Sequence, residues 1–145
     1  MNSHLTAISR KTWPVPTRWL LENNLITGRV LDYGCGKCAP LNPMDWDNYD
    51  PYHYPCIIRG GYDTILCNYV LCTLPPKERK AVLRMVDFYL KSDGKAYISV
   101  RSDKPRYGWG RSSKGTTQYK VRLSLPEIHK TSQYIIYLLT NSSKI

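Results

Sequence analysis

The amino-acid sequence predicts an α/β fold with a mostly parallel β-sheet and an antiparallel hairpin at its C-terminal end. Segments with the apolar pattern of strands alternate along the chain with helical segments, an order that favours parallel strands joined by helices. The last two strand-like segments, 119–125 and 134–139, are joined by about eight residues, which suits antiparallel pairing. With 145 residues, of which 42% are hydrophobic, we expect residues 1–145 to form a single domain.

The first half of the chain is predicted to contain one helix and three short strands. The helix begins near Thr17, because Pro14 and Pro16 are tolerated only before or within a first turn, and Asn24 and Gly28 end it. The strand-like segments that follow are 29–33, 49–52 and 62–70.

The second half begins with a longer amphipathic helix. Pro75 and Pro76 suit its start, and the turn signal at 92–94 predicts its end. Its apolar positions recur at helical spacing and are expected to face the sheet: Ala81, Val82, Met85, Val86 and Tyr89. A strand at 95–101 and an aperiodic loop at 102–117 precede the predicted hairpin.

The strongest chemical signal is the turn after the first strand. Asp32 ends that strand, the Gly-x-Gly of Gly34 and Gly36 follows, and Asp50 lies fourteen positions beyond Gly36. Glycines adopt positive φ and let a ligand approach the bare backbone, and an acid at the next strand end can accept hydrogen bonds from a ribose diol. The pattern therefore predicts a nucleoside-containing ligand.

The segment after these glycines argues against a diphosphate in that ligand. The third glycine of a dinucleotide motif is missing, and Pro40 and Pro43 interrupt the helix whose N-terminus would hold a pyrophosphate. A nicotinamide-dependent dehydrogenase is disfavoured on the same ground.

Four segments resemble motifs of class I S-adenosylmethionine-dependent methyltransferases, and the opening segment 5–10 resembles small bacterial and phage-type members of this group. The four segments are the glycine motif at 30–37, the acidic motif at 49–52, the fourth-strand motif at 62–75 and the turn and fifth strand at 91–101. The resemblance covers most of residues 5–140. It implies a Rossmann-like sheet, S-adenosyl-L-methionine as methyl donor and methyl transfer to an acceptor. Because Tyr62 follows Pro51 by only eleven positions, we expect a reduced third-strand region.

The resemblance also implies roles for individual residues. Asp32, Gly34 and Gly36 would shape the pocket for the methionine part of the donor, Asp50 would hold the ribose hydroxyls, and Asn68 and Tyr69 would lie near the transferred methyl group. Arg10 is added as a partner for the donor carboxylate on charge chemistry alone. No residue is assigned as a catalytic base. The Cys35-x-x-Cys38 pair lacks the second ligand pair of a zinc site, so no metal is predicted.

The formal net charge of +10 belongs entirely to the second half of the chain. Residues 77–145 hold fifteen basic and five acidic side chains, and the segment from Lys95 to Arg122 holds eight basic residues against Asp103 alone. This segment predicts contact with an anionic acceptor such as a nucleic acid. The alternative is a methyltransferase-fold protein without catalysis that binds nucleic acid or a protein partner.

The sequence predicts a cytoplasmic protein. No run of about 18 apolar residues is present, so we expect no contact with a membrane. Residues 1–10 lack the apolar stretch of a signal peptide, and the odd number of five cysteines suits free thiols in a reducing compartment. The oligomeric state is left open by the sequence.

Overall fold

The computed structural model describes residues 13–35, 46–52, 58–103, 105, 108–110 and 117–143. Their helices are α1 (Val15–Glu22), a short 3-10 helix (Leu71–Thr73) and α2 (Pro76–Tyr89). Their strands are β1 (Val30–Tyr33), β2 (Asp47–Tyr49), β3 (Tyr62–Asn68), β4 (Leu90–Arg101), β5 (Glu127–Lys130) and β6 (Tyr134–Leu139).

The strands form one six-stranded sheet in the order β2-β1-β3-β4-β6-β5. The first four strands are parallel to one another. Strand β6 is antiparallel to both of its neighbours, β4 and β5. The prediction of an α/β fold with a mostly parallel sheet and antiparallel C-terminal strands is therefore confirmed.

The two faces of the sheet are covered by different helices. Residues paired across parallel strands share a face, and successive residues alternate between faces. On the α1 side, Leu20 packs in a buried cluster with Val30, Leu66, Tyr97, Tyr134 and Ile136. On the α2 side, the main buried cluster includes Leu31, Ile65, Leu83, Val86, Ile98 and Tyr137.

The predicted hairpin forms with a different first strand. Residues 119–125 are not a strand; instead Glu127–Lys130 pairs with β6. The Tyr119 amide donates to the Cys72 carbonyl at 2.7 Å, which draws the earlier segment toward α2. The ring of His129 stacks on Trp19 with centroids 4.0 Å apart, which helps to fix β5 on the sheet.

Helix α2 is rotated relative to the predicted apolar face. Val82, Val86 and Tyr89 pack on the core as predicted. Leu83 is buried beside them, whereas Ala81 and Met85 are exposed. The helix ends at Tyr89, and the predicted turn at 92–94 instead forms an irregularity inside β4. A Cβ on Gly94 would lie 2.6 Å from the Tyr62 carbonyl oxygen, so the close approach at this irregularity requires glycine. Within the described ranges, no helix is long and apolar enough to cross a membrane.

The connection between β2 and β3 is short. Its described residues, 50–52 and 58–61, form neither a helix nor a further strand apart from an isolated bridge at Asp50. Strand β2 is consequently the outermost strand on that side of the described sheet.

Candidate functional site

The strand order reverses next to β1. From β1 the chain continues to β2 on one side and then crosses to β3 on the other. In open parallel sheets, ligands bind outside the carboxyl ends of the strands at such a reversal. The carboxyl edge of β1, β2 and β3 is therefore the candidate site.

Buried polar side chains collect on the α1 side of the sheet near this edge. Asp32 is paired with Asn48 across β1 and β2, and Asp50 lies two residues farther along. Asn68 is likewise two residues beyond Leu66, the partner of Asp32 on β3, and it is paired with Ser99 of β4. The described buried polar residues on this side are Thr17, Asp32, Asn48, Asp50 and Ser99. Thr64 is also buried but lies at the amino end of the strands, paired with Val30.

Asp32 is a buried carboxyl group in an unusual electrostatic setting. Only 6% of the residue is exposed, and no hydrogen-bond donor from the described residues reaches its carboxylate. Burial raises the pKa of Asp32 from 3.8 to about 7, because the ionised form loses its hydration without gaining a partner from the described chain. A ligand that donated hydrogen bonds or brought positive charge to this carboxylate would be bound favourably.

Asp50 is held rigidly at the end of β2. It is 9% exposed, and its Oδ1 accepts a hydrogen bond of 2.9 Å from the Tyr52 amide. This local turn fixes the direction of the side chain, as Asp commonly does after a strand.

Gly34 closes the turn after β1 against β2. The amides of Gly34 and Cys35 both donate to the Tyr49 carbonyl, at 2.6 and 2.9 Å. Gly34 has φ +80°, and a Cβ built on it would overlap Cγ2 of Val70. Both the backbone conformation and the approach of Val70 therefore require glycine at this position.

Asn68 and Tyr69, the two residues predicted to lie near the transferred methyl group, are found at the end of β3. Asn68 is the last residue of that strand, and its Nδ2 donates to Thr17 Oγ1 at 2.8 Å while its Oδ1 accepts from Ser99 Oγ at 2.8 Å. Tyr69 has φ +58°, a left-handed conformation that costs a non-glycine residue about 1–2 kcal/mol. Its amide donates to the Ser99 carbonyl at 3.0 Å, which stabilises the turn.

The structure thus brings Asp32, Gly34, Asp50, Asn68 and Tyr69 to one edge of the sheet. Two further predicted site residues, Arg10 and Gly36, lie outside the described residues, as does Cys38. Sequence reasoning missed Thr17, Asn48 and Ser99. Asn48 could have been predicted, because it stands two positions before Asp50 and therefore lies on the same face of the sheet.

Only half of the predicted basic surface lies in the described chain. Its described members are Lys95, Arg101, Lys120 and Arg122; the other four basic residues of 95–122 lie outside. The bond from Tyr119 to Cys72 brings this part of the chain next to the 3-10 helix that follows β3.

A separate cavity of about 490 Å³ lies at the opposite, amino edge of the sheet. It is bordered by Gly28 and Arg29 before β1 and by Trp46 and Asp47 at the start of β2. Since none of the buried carboxyl groups of the carboxyl edge borders it, this cavity is not part of the candidate site.

Three cysteines lie in the described part of the chain, and all are buried: Cys35, Cys67 and Cys72. Burial raises the pKa of the Cys67 thiol, and the nearby Asp32 adds to the effect. No group of three or more His, Cys, Asp or Glu side chains suited to a metal ion occurs among the residues that the structure describes.

Comparison with protein-family models and with curated protein sequences found no match to this chain.

Proposed function

We propose that this chain is an S-adenosylmethionine-dependent methyltransferase whose donor binds at the carboxyl edge of β1, β2 and β3. One observation carries the proposal: Asp32, Gly34 and Asp50 lie on adjacent strand ends where the strand order reverses. This is the place at which a sheet of this kind accepts a nucleoside. The resemblance of the sequence motifs gives the class of nucleoside.

Each of the assembled residues has a proposed contact with the donor. Asp50 accepts hydrogen bonds from the ribose hydroxyls, and its fixed side chain lowers the entropy lost on binding. Asp32 and Gly34 line the methionine end of the donor. There the donor's ammonium group would be the positively charged partner that the described chain does not give to the Asp32 carboxylate. Arg10 and Gly36 complete this end in the proposal, and Asn68 with Tyr69 flanks the methyl group.

The proposed reaction is a displacement at the methyl carbon. When bound, the donor supplies a methyl group on a sulfonium; the acceptor lone pair forms the new bond as the carbon–sulfur bond breaks and its electrons return to sulfur. The chain aligns donor and acceptor, and it provides an electrostatic environment for the positive charge that sulfur loses as the methyl group leaves. The basic segment Lys95–Arg122 is the proposed contact for an anionic acceptor such as a nucleic acid.

Replacing Asp50 by asparagine should weaken binding of S-adenosylmethionine by roughly 10- to 100-fold, the effect of losing charge-assisted hydrogen bonds. The asparagine side chain would keep an oxygen for the Tyr52 amide, so the fold is expected to remain. Isothermal titration calorimetry measures the effect, and Asp93→Asn, which removes an exposed carboxylate, is the matched control. Absence of heat for the unaltered protein at millimolar donor would refute the proposal.

A second candidate function is a methyltransferase-fold protein that binds nucleic acid or a protein without catalysis. The observation in its favour is that both ends of the Asn68 amide are engaged by Thr17 and Ser99, as in a purely structural side chain. Salt-dependent binding of single-stranded DNA or RNA, together with no donor binding, would favour this function.

A further inference from the structure

A second surface of the molecule lies between α2 and the segment that precedes β5. One side is a single face of α2, formed by Pro76, Arg79, Lys80 and Leu83, and the other is residues 121–125. The groove between them has a volume of about 220 Å³. Sites for small molecules usually measure about 300–1,000 Å³, so this groove suits protruding side chains better than a free ligand.

The backbone beside this groove has no hydrogen-bond partners among the described residues. Along residues 120–123, exposed positions alternate with buried or half-buried ones, as in an extended chain, before the chain bends at Ser124 and Leu125. The flanking groups are bonded, because the Tyr119 amide donates to Cys72 and the Pro126 carbonyl accepts from the Leu138 amide. Between them, the described chain supplies no hydrogen bond to the N–H or C=O groups of residues 120–125. Such a segment is a template for another extended chain.

The groove combines an aliphatic floor with a cationic border. Leu83, Val121 and Leu125 are buried, whereas the side chains of Lys80 and Arg122 are exposed. No carboxylate of the described residues forms an ion pair with these two cations or with Arg79.

Arg79 is held in place by neutral groups. Its Nε donates to the Leu74 carbonyl at 2.7 Å, and its guanidinium lies 4.9 Å from the centre of the Tyr119 ring. The guanidinium therefore stays at the border of the groove, and the described chain places no carboxylate against its charge.

We propose that residues 120–125 and this face of α2 form a docking site for an extended acidic segment of a partner protein. The segment would pair with the backbone of residues 120–123, place an aliphatic side chain in the groove and direct carboxylates to Lys80 and Arg122. A second copy of this chain would bring like charges together. Single-stranded nucleic acid needs aromatic side chains for base stacking as well as basic groups, and no aromatic side chain of the described residues lines this groove, whatever the rest of the basic segment binds. This proposal does not depend on methyl transfer.

Fluorescence anisotropy with a labelled peptide that alternates leucine with glutamate tests the site. The peptide should bind, and Lys80→Glu/Arg122→Glu should weaken binding by at least tenfold. Lys95→Glu, an exposed charge reversal on β4 outside the groove, is the control and should have little effect. A peptide with a central proline should bind more weakly, since it cannot continue the backbone pairing. No binding of the alternating peptide at millimolar concentration would overturn the proposal.

Hydrogen exchange followed by NMR gives a second measurement that needs no variant. The amides of residues 120–125 should exchange rapidly in the free protein and become protected when the peptide is added. Protection by an oligo-dT probe but not by the peptide would identify a nucleic-acid surface and overturn the proposal. Protection that instead grows with protein concentration alone would assign the groove to self-association and would also overturn it.

Discussion

Replacing Asp32 by asparagine should increase the free energy of unfolding at pH 8 by roughly 1–3 kcal/mol. The pKa of Asp32 is about 7 in the folded protein and 3.8 in the unfolded reference. Ionising Asp32 in the folded state therefore costs about 4 kcal/mol of stability. The neutral asparagine amide, buried without a partner, would still cost about 1–3 kcal/mol, so the substitution gains the difference. Denaturant unfolding of both proteins at pH 8 measures the difference.

The sign of the pH dependence follows from proton binding. Between about pH 4 and pH 7 the folded state binds more protons at Asp32 than the unfolded state does, so this residue makes stability fall as pH rises and adds no further change above about 7. The difference between the unaltered protein and Asp32→Asn isolates this contribution from other groups. Asp93→Asn, at an exposed position, should show no comparable difference. Equal pH profiles for the unaltered protein and Asp32→Asn would show that Asp32 is not buried as described.

Replacing Gly34 by alanine should destabilise the protein by roughly 2–5 kcal/mol. The left-handed conformation accounts for about 1–2 kcal/mol, and the clash of the new Cβ with Val70 adds about 1–3. Thermal or denaturant unfolding measures the loss.

Gly60→Ala provides the matched control for this prediction. Gly60 has φ +83° but nothing within 4 Å of a built Cβ, so its replacement should show the conformational cost alone, about 1–2 kcal/mol. In the Gly34→Ala background, Val70→Ala should recover the part of the loss due to the clash. Equal losses at Gly34 and Gly60 would mean that Val70 does not press on the turn after β1.

The parts of the candidate site that could be predicted from sequence are those encoded within one short segment. Asp32 and Gly34 stand close together in a strand-turn pattern, and Asp50 directly follows the next strand. Thr17 and Ser99 could not be found in this way, because they become partners of Asn68 only after α1 packs on β3 and β4 pairs with it. Their hydroxyl groups carry no local pattern that distinguishes them from other serines and threonines.

For the fold, too, only the features that are encoded within one short segment could be predicted from the sequence. The apolar runs that form β1, β3 and β4 lie where their patterns predict strands, because these strands are buried and central. Residues 119–125 have an equally good strand pattern but pack against α2, while the polar sequence Glu127–Lys130 takes the place at the sheet edge. Propensity decides whether a chain is extended, but the partner that an extended chain finds depends on its tertiary neighbours.

The position of β6 between β4 and β5 has a consequence for the order of folding. Among the described strands, β5 pairs only with β6, although β5 comes first along the chain. Until residues 134–139 are in place, the edge of β4 stays unpaired and β5 has no strand to join. The antiparallel side of the sheet therefore cannot grow strand by strand in the direction of synthesis, and an aggregation-prone edge is covered only when the last strand inserts.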